Sequence, residues 1–232
     1  NGKVYSTSGI SHVELMRTMQ ALRNDAGEPC PVAANTPADF NLARHTDIAI
    51  LEGGPWIHYR DWPRLLRQMM GCKPVLFWGP KAFPGWLEET EESLPPKIDK
   101  IVRDLSLYCI ALGILPNASH SVRGFPHMQA LLPVLQQLAR AGWRPEGCSI
   151  QEQGRATVEQ YGEYLIAVTN FSGLRDRVVL RIPGSWNTAV PLLDGKVEVN
   201  QTKEALRLTL ELPPRSAQVL NLLPGPRASS LQ

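Results

Sequence analysis

Four apolar segments in the first 145 residues each run directly into a turn that contains Pro or Gly. The four junctions read Asn35-Thr-Pro, Glu52-Gly-Gly-Pro, Trp78-Gly-Pro and Leu115-Pro. Such nearly uniform apolar segments are typical of strands that are covered on both faces, as in a parallel sheet. The loops that follow parallel strands meet at one edge of the sheet, and that edge usually carries the site. The predicted strands are 30–35, 47–52, 73–78 and 108–115.

Helical segments alternate with these strands, because their apolar residues recur at spacings of three and four. One of them opens with the sequence Ser11-His-Val-Glu14, which matches a capping box. Three of the five predicted helices begin at Ser11, Thr36 and Asp61. The other two include Ile98–Leu105 and Met128–Ala141. Alternation of strand and helix predicts about four βα units over residues 1–147.

The pattern changes after Gly147, where the apolar segments become short and alternate with polar residues. Leu206, Leu208, Leu210 and Leu212 alternate with polar side chains, as expected of strands with one buried face. Asp194-Gly195 predicts a tight hairpin. Six or seven such strands predict a small antiparallel β-sandwich over residues 148–224, with a disordered tail at 225–232.

The composition excludes several classes of function. The chain is 43% hydrophobic and 20% charged with a formal net charge of +2, and it has no basic run, so no nucleic-acid partner is expected. No apolar stretch approaches the roughly 20 residues that cross a membrane, so no membrane association is expected. No signal segment is visible, which leaves secreted and cytoplasmic locations both open.

The four cysteines do not form a CxxC pair, and no Cys/His set has the spacing of zinc ligands. There is also no Gly-rich phosphate loop, no GxSxG and no HExxH. The sequence therefore predicts no metal site and no cofactor.

The β segment contains the most recognisable stretches of sequence: "VEQYGEYLIAVTNFSG", "VVLRIPGSW", "LLDGKVEV" and "LRLTLELPPRSAQVLNL". A βα series followed by such a segment resembles the C-terminal part of retaining-type glycoside hydrolases built on a (β/α)8 barrel. The resemblance implies the later half of a TIM-type barrel followed by a β-sandwich, acting on oligo- or polysaccharides. Half a barrel would leave two unpaired edges, so the expected partner is the missing N-terminal half, upstream of Asn1.

Glycosidic bonds are hydrolysed by two carboxyl groups, one of which protonates the leaving oxygen while the other attacks or activates water. Glu52 is the candidate catalytic residue, because it ends an apolar strand and two glycines leave room beside it. A cap on the following turn, or an ion pair, would explain Glu52 equally. Asp47 lies at the amino end of its strand, away from the predicted site, so it is not a candidate for the second carboxylate. That carboxylate is expected upstream of this chain.

Six further residues suit a sugar ligand. Asparagine and the charged or histidine side chains offer hydrogen bonds to hydroxyl groups, and tryptophan offers a flat apolar face. Each could instead serve packing or solubility. The candidate substrate-binding residues are Asn35, Trp56, His58, Trp78, Lys81 and His120.

Two other functions remain open from the sequence. One is a non-catalytic carbohydrate-binding or structural protein on the same fold. The other is a stand-alone α/β domain with an open sheet that binds a small ligand at its strand ends.

Overall fold

A computed structural model describes residues 7–35, 40–52, 61–78, 95–116, 126–202 and 204–225. These residues form a mixed structure of helices and sheets, and most of the strand pairing is antiparallel. The chain divides into two compact units, residues 1–87 and residues 88–232. The predicted boundary at 147/148 between an α/β part and an all-β part stays a prediction.

The first unit contains three helices and three strands among its described residues. In chain order they are α1 (Thr7–Gln20), β1 (Ala33–Asn35), α2 (Phe40–Arg44), β2 (Ile48–Glu52), α3 (Asp61–Met70) and β3 (Val75–Trp78). The strands are parallel and lie in the order β1-β2-β3, with Ala49 opposite Ala34 on one side and Val75 on the other. The predicted strands at 47–52 and 73–78 are confirmed over Ile48–Glu52 and Val75–Trp78, and the one at 30–35 is confirmed for its last three residues.

Helix α3 begins and ends where the sequence predicts. It starts at Asp61 and is followed by Gly71, whose φ of 56° is a conformation that glycine adopts without strain. The buried Arg67 donates from Nη2 to the carbonyl oxygens of Gly71 and Lys73. These bonds hold the turn between α3 and β3 against the last turn of the helix.

The second unit begins with α4 (Pro95–Ile110), β4 (Leu115–Pro116) and α5 (Pro126–Ala141). Its remaining strands form two antiparallel sheets, β10-β13-β8-β7-β5 and β11-β12-β9-β6. Their bounds are β5 Trp143–Arg144, β6 Ile150–Gln153, β7 Thr157–Tyr161, β8 Leu165–Asn170, β9 Asp176–Pro183, β10 Trp186–Pro191, β11 Val197–Gln201, β12 Ala205–Leu212 and β13 Ser216–Pro224.

The predicted strand at Tyr108–Leu115 is wrong. Residues up to Ile110 belong to α4, and the strand is confined to Leu115–Pro116. The run is apolar because Cys109 and Ile110 are buried on α4 and Ala111, Leu112 and Ile114 are buried after the helix ends. A buried helix end can produce the same run as a buried strand. Gly113, with a φ of 67°, then separates the helix from the strand.

Two predicted local signals are also wrong. Ser11 does not begin a helix, because α1 already starts at Thr7; the predicted start at Thr36 lies outside the described residues. Asp194-Gly195 connects β10 to β11, which belong to different sheets, so it is a crossover between sheets and no hairpin. The buried side chain of Gln218 occupies the space that a Cβ on Gly195 would need.

Strand β8 is buried along its whole length. Ile166 and Val168 belong to the core shared by the two sheets, together with Leu180, Leu208 and Leu220. The alternate residues of β8 lie on the other face, where α4 packs against the strand. Beside β8 on β7, the Tyr161 hydroxyl donates to the backbone oxygen of Ile110 at 3.5 Å. The five-stranded sheet therefore needs cover on both faces.

The end of β8 is fixed by the buried amide of Asn170. Its Nδ2 donates to the backbone oxygens of Leu174 (2.7 Å), Pro213 (2.9 Å) and Leu212 (3.2 Å). Its Oδ1 accepts from the backbone nitrogen of Ser172 at 3.0 Å. One side chain thus joins the β8–β9 turn to the β12–β13 turn.

Replacing Gly113 by Ala is expected to destabilise the second unit more than replacing Gly142 by Ala. Both glycines have a positive φ (67° and 74°), so each substitution costs about 1 kcal/mol of backbone strain. A Cβ at Gly113 would also collide with the Trp143 indole, whereas a Cβ at Gly142 would meet nothing within 4 Å. Overpacking adds about 1–3 kcal/mol to the loss of unfolding free energy. Urea unfolding of both variants measures the difference; equal losses would contradict the packing of Trp143 on Gly113.

Candidate functional site at the carboxyl ends of the parallel strands

Three predicted site residues end the three parallel strands of the first unit. Asn35 ends β1, Glu52 ends β2 and Trp78 ends β3. Glu52 and Trp78 are register partners, and Asn35 lies opposite Ile50, two residues before Glu52. Because the strands are parallel, the backbone positions of all three lie at one edge of the sheet.

The strands behind this edge are anchored in the core. Leu51 and Phe77, which immediately precede Glu52 and Trp78, are 1% and 2% exposed. Ala49 and Val75, two residues further back on the same strands, are also buried. A site on buried strands is held more precisely than one on loops, so this edge is a rigid support for the residues that end it.

Three of the seven predicted site residues lie in the part of the chain that the structure describes. Asn35 is exposed, and the backbone alone is described for Glu52 and Trp78. The other predicted contacts lie outside the described residues: Trp56, His58, Lys81 and His120.

Charged groups at the opposite end of the same strands hold the fold together. The Asp47 carboxylate accepts a hydrogen bond from the backbone nitrogen of Val32 at 2.8 Å. The Lys73 ammonium donates to the backbone oxygens of Arg44 (2.8 Å), Thr46 (2.8 Å) and Ala43 (3.2 Å), at the C-terminal end of α2. A cation there offsets the partial negative charge of the helix end. Both groups are therefore explained by the structure they stabilise.

His45 directly follows α2, and its surroundings shift the pKa of its imidazole. Its Nδ1 lies 3.4 Å from Oε1 of Gln20. Partial removal from water lowers the pKa of the His45 imidazole, and the positive charges of Arg17, Arg44 and Lys73 lower it further. The neutral imidazole is therefore the form that the folded unit favours.

Within the described segments, no three His, Cys, Asp or Glu side chains lie close enough together to hold a metal ion. No helix in the part of the chain that the structure describes is long and apolar enough to cross a membrane. The four cysteines are free thiols, and burial raises the pKa of the Cys109 thiol. That shift opposes formation of the thiolate that a nucleophilic cysteine needs.

No protein-family model and no curated protein matches the chain.

The structure also brings together two aromatic side chains that no sequence pattern connects. Tyr164 and Trp186 lie in the second unit with ring centroids 6.1 Å apart. They are separated by strands β8 and β9 in the chain, and the strand order of the five-stranded sheet makes them neighbours. Their spacing in the sequence carries no periodic signal, so this contact could not be predicted.

His45→Gln is expected to flatten the pH dependence of stability in the first unit. A folded pKa below the ordinary value of 6.5 means that stability is fully present above that pH and is lost as the pH falls towards the folded pKa. Gln cannot take up the proton and keeps a polar group towards Gln20. Amide hydrogen exchange of peptides covering residues 42–51, compared at pH 7.5 and 5.5 after correction for intrinsic rates, measures the effect. The same pH dependence of hydrogen exchange in the wild type and in His45→Gln would contradict the lowered pKa of His45.

Proposed function

We propose that this chain is part of a glycoside hydrolase that cleaves glycosidic bonds in oligo- or polysaccharides. Its first strands would then belong to the later half of a (β/α)8 barrel, and its antiparallel sheets to a C-terminal β-sandwich. Support comes from the element order, in which four strands are each followed by a helix before the antiparallel sheets begin. The sequence resemblance of the β segment points the same way.

The single observation that carries the proposal is the register of β2 and β3. It sets Glu52 opposite Trp78 at the carboxyl edge of a parallel sheet, where barrel enzymes assemble their active sites. In the proposed mechanism Glu52 acts either as the general acid that protonates the leaving oxygen or as the nucleophile. Trp78 stacks on the C–H face of a sugar ring, and Asn35 binds hydroxyl groups. Trp56, His58, Lys81 and His120 complete the subsite.

The second carboxylate is assigned to the N-terminal half of the barrel. Among the described strand ends of the first unit, Glu52 is the one carboxylate, since β1 ends in Asn35 and β3 ends in Trp78. This same observation favours a second candidate function. A protein that lacks the partner acid would bind a saccharide at this edge without cleaving it.

Glu52→Gln is expected to lower the rate of glycoside hydrolysis by at least about 100-fold, because acid–base groups contribute factors of about 100 to 10,000. The assay uses the complete gene product that contains this chain, with release of reducing ends from polysaccharides as the readout. Glu14→Gln is the matched control, since it removes the charge of an exposed carboxylate on α1 in the same unit. That variant is expected to keep wild-type activity.

The leaving group separates the two roles of Glu52. If Glu52 is the acid, Glu52→Gln loses much less activity on a dinitrophenyl glycoside, whose leaving group needs no proton. If it is the nucleophile, both substrates lose activity equally. Wild-type turnover in a folded Glu52→Gln protein would remove Glu52 from the mechanism. Saccharide binding without turnover by the wild type would establish the non-catalytic function in its place.

A further inference from the structure

Two aromatic side chains meet at one end of the five-stranded sheet. Tyr164 lies in the turn before β8, Trp186 begins β10, and β13 runs between these strands. The Tyr164 backbone oxygen accepts a hydrogen bond from Leu222 of β13 at 2.7 Å, and Trp186 is the register partner of Pro224. The two rings are 6.1 Å apart and inclined at 84°, an edge-to-face pair.

The Trp186 ring is fixed by its surroundings. Its indole Nε1 donates to the backbone oxygen of Pro183 at 2.9 Å, and part of the ring packs against the core. The Gln201 amide donates to the Trp186 backbone oxygen at 2.8 Å. Gly184 adopts a φ of 109°, and a Cβ there would lie 3.3 Å from the indole nitrogen. A ring that is already ordered loses little entropy when a ligand binds to it.

The pair is accessible and has neutral polar neighbours. Tyr164 is 44% exposed, and Leu223, on the strand beside it, is 37% exposed. Ser185 and Asn187, which flank Trp186 in the chain, are both exposed. Apolar ring surface thus lies next to hydroxyl and amide groups that can donate and accept hydrogen bonds.

We propose that Tyr164 and Trp186 form a carbohydrate-binding surface of the second unit that takes a neutral oligo- or polysaccharide. A sugar ring presents C–H groups on its faces and hydroxyl groups at its rim. Rings held at right angles offer packing for the C–H face, and Ser185 and Asn187 offer partners for the hydroxyl groups. Binding here does not depend on Glu52, so the surface stands independently of the catalytic proposal.

The charges near the pair favour a neutral ligand over a polyanion. Glu163, the residue before Tyr164, is exposed. Glu204 is exposed as well, and its backbone oxygen accepts from the Gly184 nitrogen at 2.9 Å. Carboxylates at these positions repel the phosphates of a nucleic acid, although bases also stack on aromatic rings.

Tyr164→Ala is expected to weaken binding of the full chain to polysaccharide by about tenfold, the effect of losing one aromatic contact. Depletion from solution by cellulose, xylan, chitin and granular starch, each tested separately, gives the affinity. Tyr164→Phe keeps the ring and is expected to bind like the wild type. Circular dichroism confirms that the variants are folded.

The matched control is Phe171→Ala. Phe171 is also 44% exposed and pairs with another aromatic ring, Tyr108, at 5.5 Å, so its loss removes comparable surface elsewhere in the unit. Binding is expected to be unchanged by this variant, which leaves the Tyr164–Trp186 pair intact. The proposal is overturned if the wild type binds none of the four polysaccharides, or if Tyr164→Ala binds like the wild type. Sedimentation that shows a dimer dissociated by Tyr164→Ala would instead assign the pair to an interface between copies.

Discussion

Burial of β8 on both of its faces is the constraint on which the second unit depends. All six residues of the strand are buried, so the sheet around it needs apolar cover on each side. Strands of the second sheet supply one cover and helix α4 supplies the other. Each fully buried Val or Ile side chain contributes about 1.5–3 kcal/mol from removal from water. A helix that precedes the sheets in the chain is thus part of the same folding unit as the sheets.

Burial of apolar strand residues also stabilises the first unit. Strands β2 and β3 bury Leu51 and Phe77 immediately before the residues that end them. The polar and charged groups divide between the two ends of the sheet. Asp47 and Lys73, at the amino end, bind backbone groups of the fold, while Asn35, at the carboxyl end, is exposed. The hydrogen bonds of Asp47 and Lys73 thus stabilise the amino end of the sheet.

The sequence predicts the parallel strands well because their signals are local. The buried run before Glu52 and the pairing of Asp61 with Gly71 around α3 each depend on neighbouring residues. Prediction fails where burial comes from distant partners. The apolar run Tyr108–Leu115 begins on α4, which ends at Ile110, and Asp194-Gly195 connects two sheets where the sequence predicts a hairpin.

The candidate site is predicted at the level of strand ends, since parallel pairing follows from the alternation of elements; the register that sets Glu52 opposite Trp78 comes from the structure. The Tyr164–Trp186 contact depends on strand order, which the sequence pattern does not contain. A crystal structure of the protein with a bound oligosaccharide tests the central claim most directly. We expect a sugar at the carboxyl edge of β1–β3, with the Glu52 carboxyl within hydrogen-bonding distance of the glycosidic oxygen or facing the anomeric carbon. A sugar bound there with the Glu52 side chain directed away from it, or no sugar at this edge, would rule out the proposed role of Glu52.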